Sequence, residues 1–190
     1  MIDFNDEDIK IFVKEKKEDD TETLLKLVEE TNIQRNNGNT AKASKLGETI
    51  ANLVFDFNII EDEDFKNMIR DASVNEKVLY QIRLLLTFTA ESTLHRSIHI
   101  PLLSTIAVNS MYETLMASDN ELYEDTTDAF TFYYIALRKQ NNIASRIGSR
   151  FAMLCGDESN EDYKKIGSGL YLILCEIICK EIQKTDFVTQ

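Results

Sequence analysis

Apolar side chains recur at steps of three and four along nearly the whole chain, the spacing of helices that each bury one face. In "NDEDIKIFVKEKKEDD" (5–20), Ile9, Phe12 and Val13 fall on one side of a short charged helix. Thr21 is placed to cap a second helix, in which Leu24, Leu25, Leu27 and Val28 lie close together. Gly38, in "NNGN" (36–39), provides its left-handed stop. Asn39 or Thr40 then caps a third helix, where Leu46, Ile50, Leu53 and Phe57 keep the same spacing. Residues 20–58 therefore predict an antiparallel helical hairpin.

The pattern continues without a break in period. "EDED" (61–64) opens a short helix carrying Phe65, Met68 and Ile69, its acids set where a helix dipole favours them. A long helix is expected over about 75–98, apolar on most sides through Val78, Leu79, Ile82, Leu85, Leu86 and Phe88. Pro101 stands where a helix begins, because its fixed φ and missing N–H suit a first turn. "SDN" (118–120) reads as a turn and cap, and 121–140 as a helix with Phe130, Tyr133, Tyr134 and Leu137 on one face. Asn141 and Asn142 interrupt it before "IASRIGSRFAMLC"; residues 156–160 form a loop and about 160–184 the last helix.

The expected architecture is all-α: one domain over 1–190, a bundle of eight or nine helices that begins with helical hairpins, residues 1–60 forming a separable layer. The last helix is hydrophobic nearly all round between Leu170 and Cys179, which fits a central position or a homodimer interface. "IGSRFAMLC" (147–155) and "IGSGLYLILC" (166–175) resemble each other. Their Gly148 and Gly167 predict close approach of two helices, at a cost near 1 kcal/mol each relative to alanine.

Composition supports this picture. Six glycines and one proline are too few for a many-turned β-sandwich, and 43% apolar residues suffice for a sizeable core. The formal net charge of −12 repels phosphate backbones, so nucleic acid is not an expected partner and a basic protein is. "MIDFNDEDIK" is acidic and unlike a secretory leader. The longest apolar run, 169–179, is too short for a bilayer and is interrupted by Glu176, so no membrane span is expected. Three cysteines make an odd number without a disulfide framework, which favours a reducing cytoplasm. Cys155, beside Gly156, is expected to be the accessible thiol, with Cys175 and Cys179 buried as small hydrophobes.

Candidate chemistry is sparse. Glu91, His95 and His99 follow at steps of four and would span about 80° of one helix, so they can converge on a divalent metal. Pro101 argues against that geometry, because it pushes Ile100 out of the helical region and frays the turn holding His99. No metal cofactor is otherwise implied, since H-E-x-x-H is absent. Charge segregation stands out more. Between Arg96 and Arg138, 41 residues hold no lysine or arginine but six carboxylates, four of them Glu121, Glu124, Asp125 and Asp128. Such like-charged i,i+4 pairs cost a few tenths of a kcal/mol, and retaining them suits a patch that meets a basic partner. A small-molecule pocket lined by Phe88, Phe130, Tyr133 and Tyr134 is a third possibility. With no catalytic constellation in view, the expected function is a non-catalytic interaction or regulatory module. The alternative is a metal-binding protein or metal-dependent enzyme built on His95 and His99.

Overall fold

The computed structural model describes residues 17–72, 75–118, 126–138 and 141–188. Among them the chain forms eight α-helices and one 3-10 turn, with no strand, so the fold is an all-α multi-helix bundle. The short helix expected around Ile9, Phe12 and Val13 and the cap expected at 119–120 lie outside the described residues. The chain divides into two units, residues 1–38 and 39–190.

In the first unit a single helix, α1, is described over Lys17–Asn36. It begins before Thr21, which therefore lies inside it instead of capping it. Its end falls as the sequence predicts: Gly38 adopts φ +80° and its N–H donates to the Arg35 carbonyl.

The second unit contains α2 (Asn39–Phe55), a 3-10 turn (Phe57–Ile59), α3 (Glu63–Ala72), α4 (Glu76–Ser97), α5 (Pro101–Ser118), α6 (Thr126–Leu137), α7 (Ile143–Leu154) and α8 (Glu161–Thr185). The caps follow residue type. Asp62, Asn75 and Asn160 each accept a backbone N–H from the first turn of α3, α4 and α8, at 2.8, 2.9 and 3.0 Å. Pro101 opens α5, as its missing donor requires. Asn142 takes the left-handed conformation, φ 55°, at the start of α7.

The centre of the unit is α4. Its residues 84–90 are buried without interruption, two turns with no solvent face. Thr87 and Thr89 are buried with them and return their hydroxyls to the carbonyls of Arg83 and Leu85, at 2.9 and 2.7 Å, so no polar atom there lacks a bond. The last helix is less central than its composition implies. α8 packs on α2, α3, α4 and α7, yet its outer side carries Leu172, Glu176 and Lys180. Leu172 is its only exposed large apolar side chain, and Glu176 pairs with Lys180 at 2.7 Å.

Two close helix approaches hold the bundle. α2 lies on α5 along Ala43, Gly47 and Ala51, where a Cβ on Gly47 would stand 2.2 Å from the Ala107 carbonyl oxygen. Ser110 reinforces this crossing by donating to the Ser44 carbonyl at 2.9 Å. α7 lies on α8 in the way the repeated I-G-S predicts: a Cβ on Gly148 would meet the Lys164 carbonyl at 2.2 Å, and one on Gly167 the Phe151 Cβ at 2.6 Å.

Asn39 is buried and pairs with Val188, far along the chain. Its amide donates to the Val188 carbonyl at 3.0 Å, and its side-chain oxygen accepts the Val188 N–H at 2.9 Å. Lys42 adds a bond to the Asp186 carbonyl at 2.6 Å.

Substituting Gly47→Val should destabilise the unit by about 3 kcal/mol, the upper part of the overpacking range, because backbone atoms cannot move aside. Asn39→Ala should cost about 1–3 kcal/mol by leaving the Val188 groups unsatisfied. Urea unfolding followed by circular dichroism measures both.

Candidate interaction face

The acidic segment singled out in the sequence leads into α6, and α6 is held by residues from two other helices, α4 and α7. Glu91, half-buried on α4, accepts hydrogen bonds from the hydroxyls of Tyr112 on α5 and Tyr134 on α6, one on each carboxylate oxygen. One carboxylate therefore ties three helices together. Beside it, Phe88 stacks against α6 through Phe130, Tyr133 and Tyr134, with ring centroids 5.5, 5.0 and 5.1 Å away. At the far end, Arg146 of α7 donates from Nε to the Ala136 carbonyl at 3.0 Å and from a terminal nitrogen to the Asn141 carbonyl. A cation on the last turn satisfies open carbonyls and complements the helix dipole.

These contacts fix which side of α6 faces outward. Ala129, Phe130, Tyr133 and Ala136 are buried, whereas Asp128, Phe132 and Ile135 are exposed. The last three fall within about 60° of the helix circumference, so a carboxylate and two large apolar side chains share one outward strip. Phe132 and Ile135 are 37% and 45% exposed, so this strip presents apolar surface beside a carboxylate. Of the four acids expected to form a patch, Asp128 lies here; Glu121, Glu124 and Asp125 fall outside the described residues. Phe132, which its aromatic neighbours mark in the sequence as core packing, faces outward instead; its spacing and that of Ile135 from Asp128, four and seven, is the signal that sets them on one strip.

The metal face does not assemble. α4 ends at Ser97, Ile98 turns extended with φ −92° and ψ 108°, and His99 lies in the bend that follows. Pro101 has the effect expected of it, so His95 and His99 no longer share a helical face. His95 is exposed with Nδ1 3.4 Å from the Ser104 hydroxyl, and Glu91 is engaged with its two tyrosines. Among the described residues no group of three or more His, Cys, Asp or Glu side chains is arranged to hold a metal. Nor do the four aromatics line a pocket, because Phe88, Phe130 and Tyr133 are buried against one another.

The thiols reverse the expected order. Cys155 is buried, and burial pushes its pKa up to about 12, opposed in part by Lys77. Cys175 and Cys179 are half-buried between α8 and α4, where Thr93 and Ser97 meet them at 3.3 and 3.6 Å. Arg96, held at 3.1 Å by the Ser92 carbonyl, donates to the Tyr171 hydroxyl at 3.1 Å and completes this polar seam. No helix among the described residues is long and apolar enough to cross a membrane. No protein-family model matches this chain, and no curated protein or solved structure matches it either.

Two tyrosines side by side on α6 should respond in opposite directions to loss of the hydroxyl. The Tyr133 hydroxyl is buried without a hydrogen-bond partner among the described groups, so Tyr133→Phe should leave stability unchanged or raise it by about 1 kcal/mol. Tyr134→Phe removes a bond to a carboxylate and should lower it by about 1 kcal/mol. Chemical unfolding of the two variants at neutral pH decides the matter.

Alkaline behaviour follows from the same groups. Burial raises the pKa of Tyr133 and of Cys155, and burial with the Glu91 bond raises that of Tyr134. A folded pKa above the unfolded one stabilises fully below the unfolded value, and that stability is lost as pH climbs through the folded value. For Cys155 the window opens near the ordinary thiol value of 9.0 and extends to about 12. The urea midpoint should fall across that window, and less steeply in Cys155→Ala. Cys155 should also be the last of the three thiols to react with a disulfide reagent at pH 8.

Proposed function

We propose that this chain is a non-catalytic, cytoplasmic interaction module that receives a basic partner on the acidic and apolar strip of α6. The observation that carries the reading is the exposure of Phe132 and Ile135 on the same strip as Asp128, next in sequence to Glu121, Glu124 and Asp125. A partner suited to it carries lysine or arginine beside large apolar side chains, as on one side of an amphipathic helix. Apolar contact would supply affinity, and the acids would speed the encounter and set its orientation. The chain's charge of −12 and the 41 residues free of lysine and arginine support the electrostatic half of the reading. The Glu91 tie supports the other half, since a helix held from both neighbours presents a constant surface. The free, unpaired state of all three cysteines suits a reducing compartment.

A fluorescent amphipathic peptide built from lysine and leucine provides the probe. The wild-type chain should bind it saturably, and raising salt from about 0.05 to 0.3 M should weaken binding severalfold through screening. Neutralising Glu121, Glu124, Asp125 and Asp128 together should lower affinity at least about tenfold and flatten the salt dependence. Phe132→Ser with Ile135→Ser should lower affinity without changing the salt slope. If the neutralised chain bound the peptide as tightly as wild type at every salt concentration, the proposal would be wrong.

A further inference from the structure

Two of the three cysteines stand together in the polar seam between α8 and α4, on residues that the α6 strip does not use. Tyr171, Cys175 and Cys179 follow at steps of four along α8, and Thr93 and Ser97 at the same step along α4. The two rows are in register. Thr93 meets the Cys175 sulfur at 3.3 Å and Ser97 the Cys179 sulfur at 3.6 Å, each pair 82 residues apart in the chain. Both thiols therefore turn to the same side of α8, one turn apart, against the same neighbour. Arg96 completes the seam, with a terminal nitrogen 4.0 Å from the Cys175 sulfur and 3.1 Å from the Tyr171 hydroxyl.

Spacing decides what such a pair can do. Helix positions four apart hold their Cβ atoms about 5–6 Å from each other. A disulfide needs about 3.5–4.5 Å, so the pair cannot oxidise onto itself without distorting α8. A single metal ion between the sulfurs spans more. Two metal–sulfur bonds near the roughly 2.3 Å found with zinc put the sulfurs about 4–5 Å apart, which the side chains reach by leaning toward each other. The rest of the seam selects the ion. Among the described residues no third His, Cys, Asp or Glu joins the pair, so a tetrahedral zinc site is not completed. Arg96 is a cation and opposes a divalent charge beside it. Soft thiolates favour copper(I), which two sulfurs in line satisfy. Copper(I) on two thiolates carries one net negative charge, and the Arg96 guanidinium next to Cys175 balances it.

We propose that Cys175 and Cys179 form a two-coordinate thiolate site for a soft monovalent metal ion of the copper(I) class. On binding, both S–H bonds break, the two protons pass to solvent and two sulfur–metal bonds form; nothing is oxidised or reduced. The Thr93 and Ser97 hydroxyls donate to the thiolates from across the seam, as outer partners that hold ligands in place. Half-burial of both sulfurs limits the access of water and of competing thiols. Cys155 takes no part, because it is buried at the end of α7. The site shares no residue with the α6 strip, so either stands without the other.

Anaerobic titration of the full chain with copper(I), in competition with the indicator bicinchoninate, tests this. One ion per chain is expected, bound without a change in sedimentation. X-ray absorption at the copper edge should show two sulfur neighbours and no nitrogen or oxygen. Cys175→Ala and Cys179→Ala, made singly, should each weaken binding by more than the roughly 10–100-fold that loss of an outer partner costs. Cys155→Ala should leave it unchanged. Arg96→Gln should weaken it about tenfold while the two-sulfur spectrum is retained. Circular dichroism checks that each variant is folded, and serine, close in shape to the thiol, replaces alanine wherever it is not. The proposal is overturned if the chain takes no copper from the indicator, or if loss of Cys175 or of Cys179 leaves the affinity as in wild type. It is equally overturned if the spectrum contains nitrogen or a single sulfur, if zinc(II) competes at equal concentration, or if copper draws two chains together through one thiol each.

Discussion

The complete burial of α4 is the constraint from which the rest of the second unit follows. Two full turns, residues 84–90, meet no solvent, so every direction around them must be filled by another helix. α5, α6, α7, α8, α2 and α3 all contact α4. A hydroxyl left without a partner at this depth would be costly, and the buried Thr87 and Thr89 turn theirs back onto their own helix. The glycines answer the same demand at one remove. Six neighbours fit around one helix only if some of them lie close to each other, and the α2–α5 and α7–α8 pairs do so where no Cβ intervenes.

Much of the fold was legible in the chain, because its helices are marked by local chemistry. Gly38, Asp62, Asn75, Pro101, Asn142 and Asn160 bound helices for reasons that lie within a few residues of each. Gly148 and Gly167 were legible too, since glycine inside an apolar helix is costly unless another backbone needs the space. What failed depended on three-dimensional surroundings. α8 has a more apolar sequence than α4 but keeps one charged, solvent-facing side. Cys155 looked accessible because it stands beside Gly156, yet Gly156 turns the chain over it and the thiol is buried. Asn39 looked like a helix cap but is paired with a residue 149 positions away, which no local pattern encodes.

The site residues divide along the same line. That Pro101 would disturb His99 was readable from proline geometry alone, and the helix does stop at Ser97. The role of Glu91 was not readable, because its partners Tyr112 and Tyr134 lie 21 and 43 residues further on. The same glutamate that suggested metal binding is instead an acceptor shared by two phenols.

The bond between Asn39 and Val188 has a topological consequence. It brings the first and the last described residues of the second unit together, with the Asn39 side chain standing in for a backbone strand partner. A folded unit whose chain enters and leaves at one point is a self-contained insert: a host chain could open a surface loop to admit it without being stretched. By the same closure, residues near 39 and 188 could be joined and the chain opened at an exposed turn such as 156–160, leaving the order of helices around α4 intact.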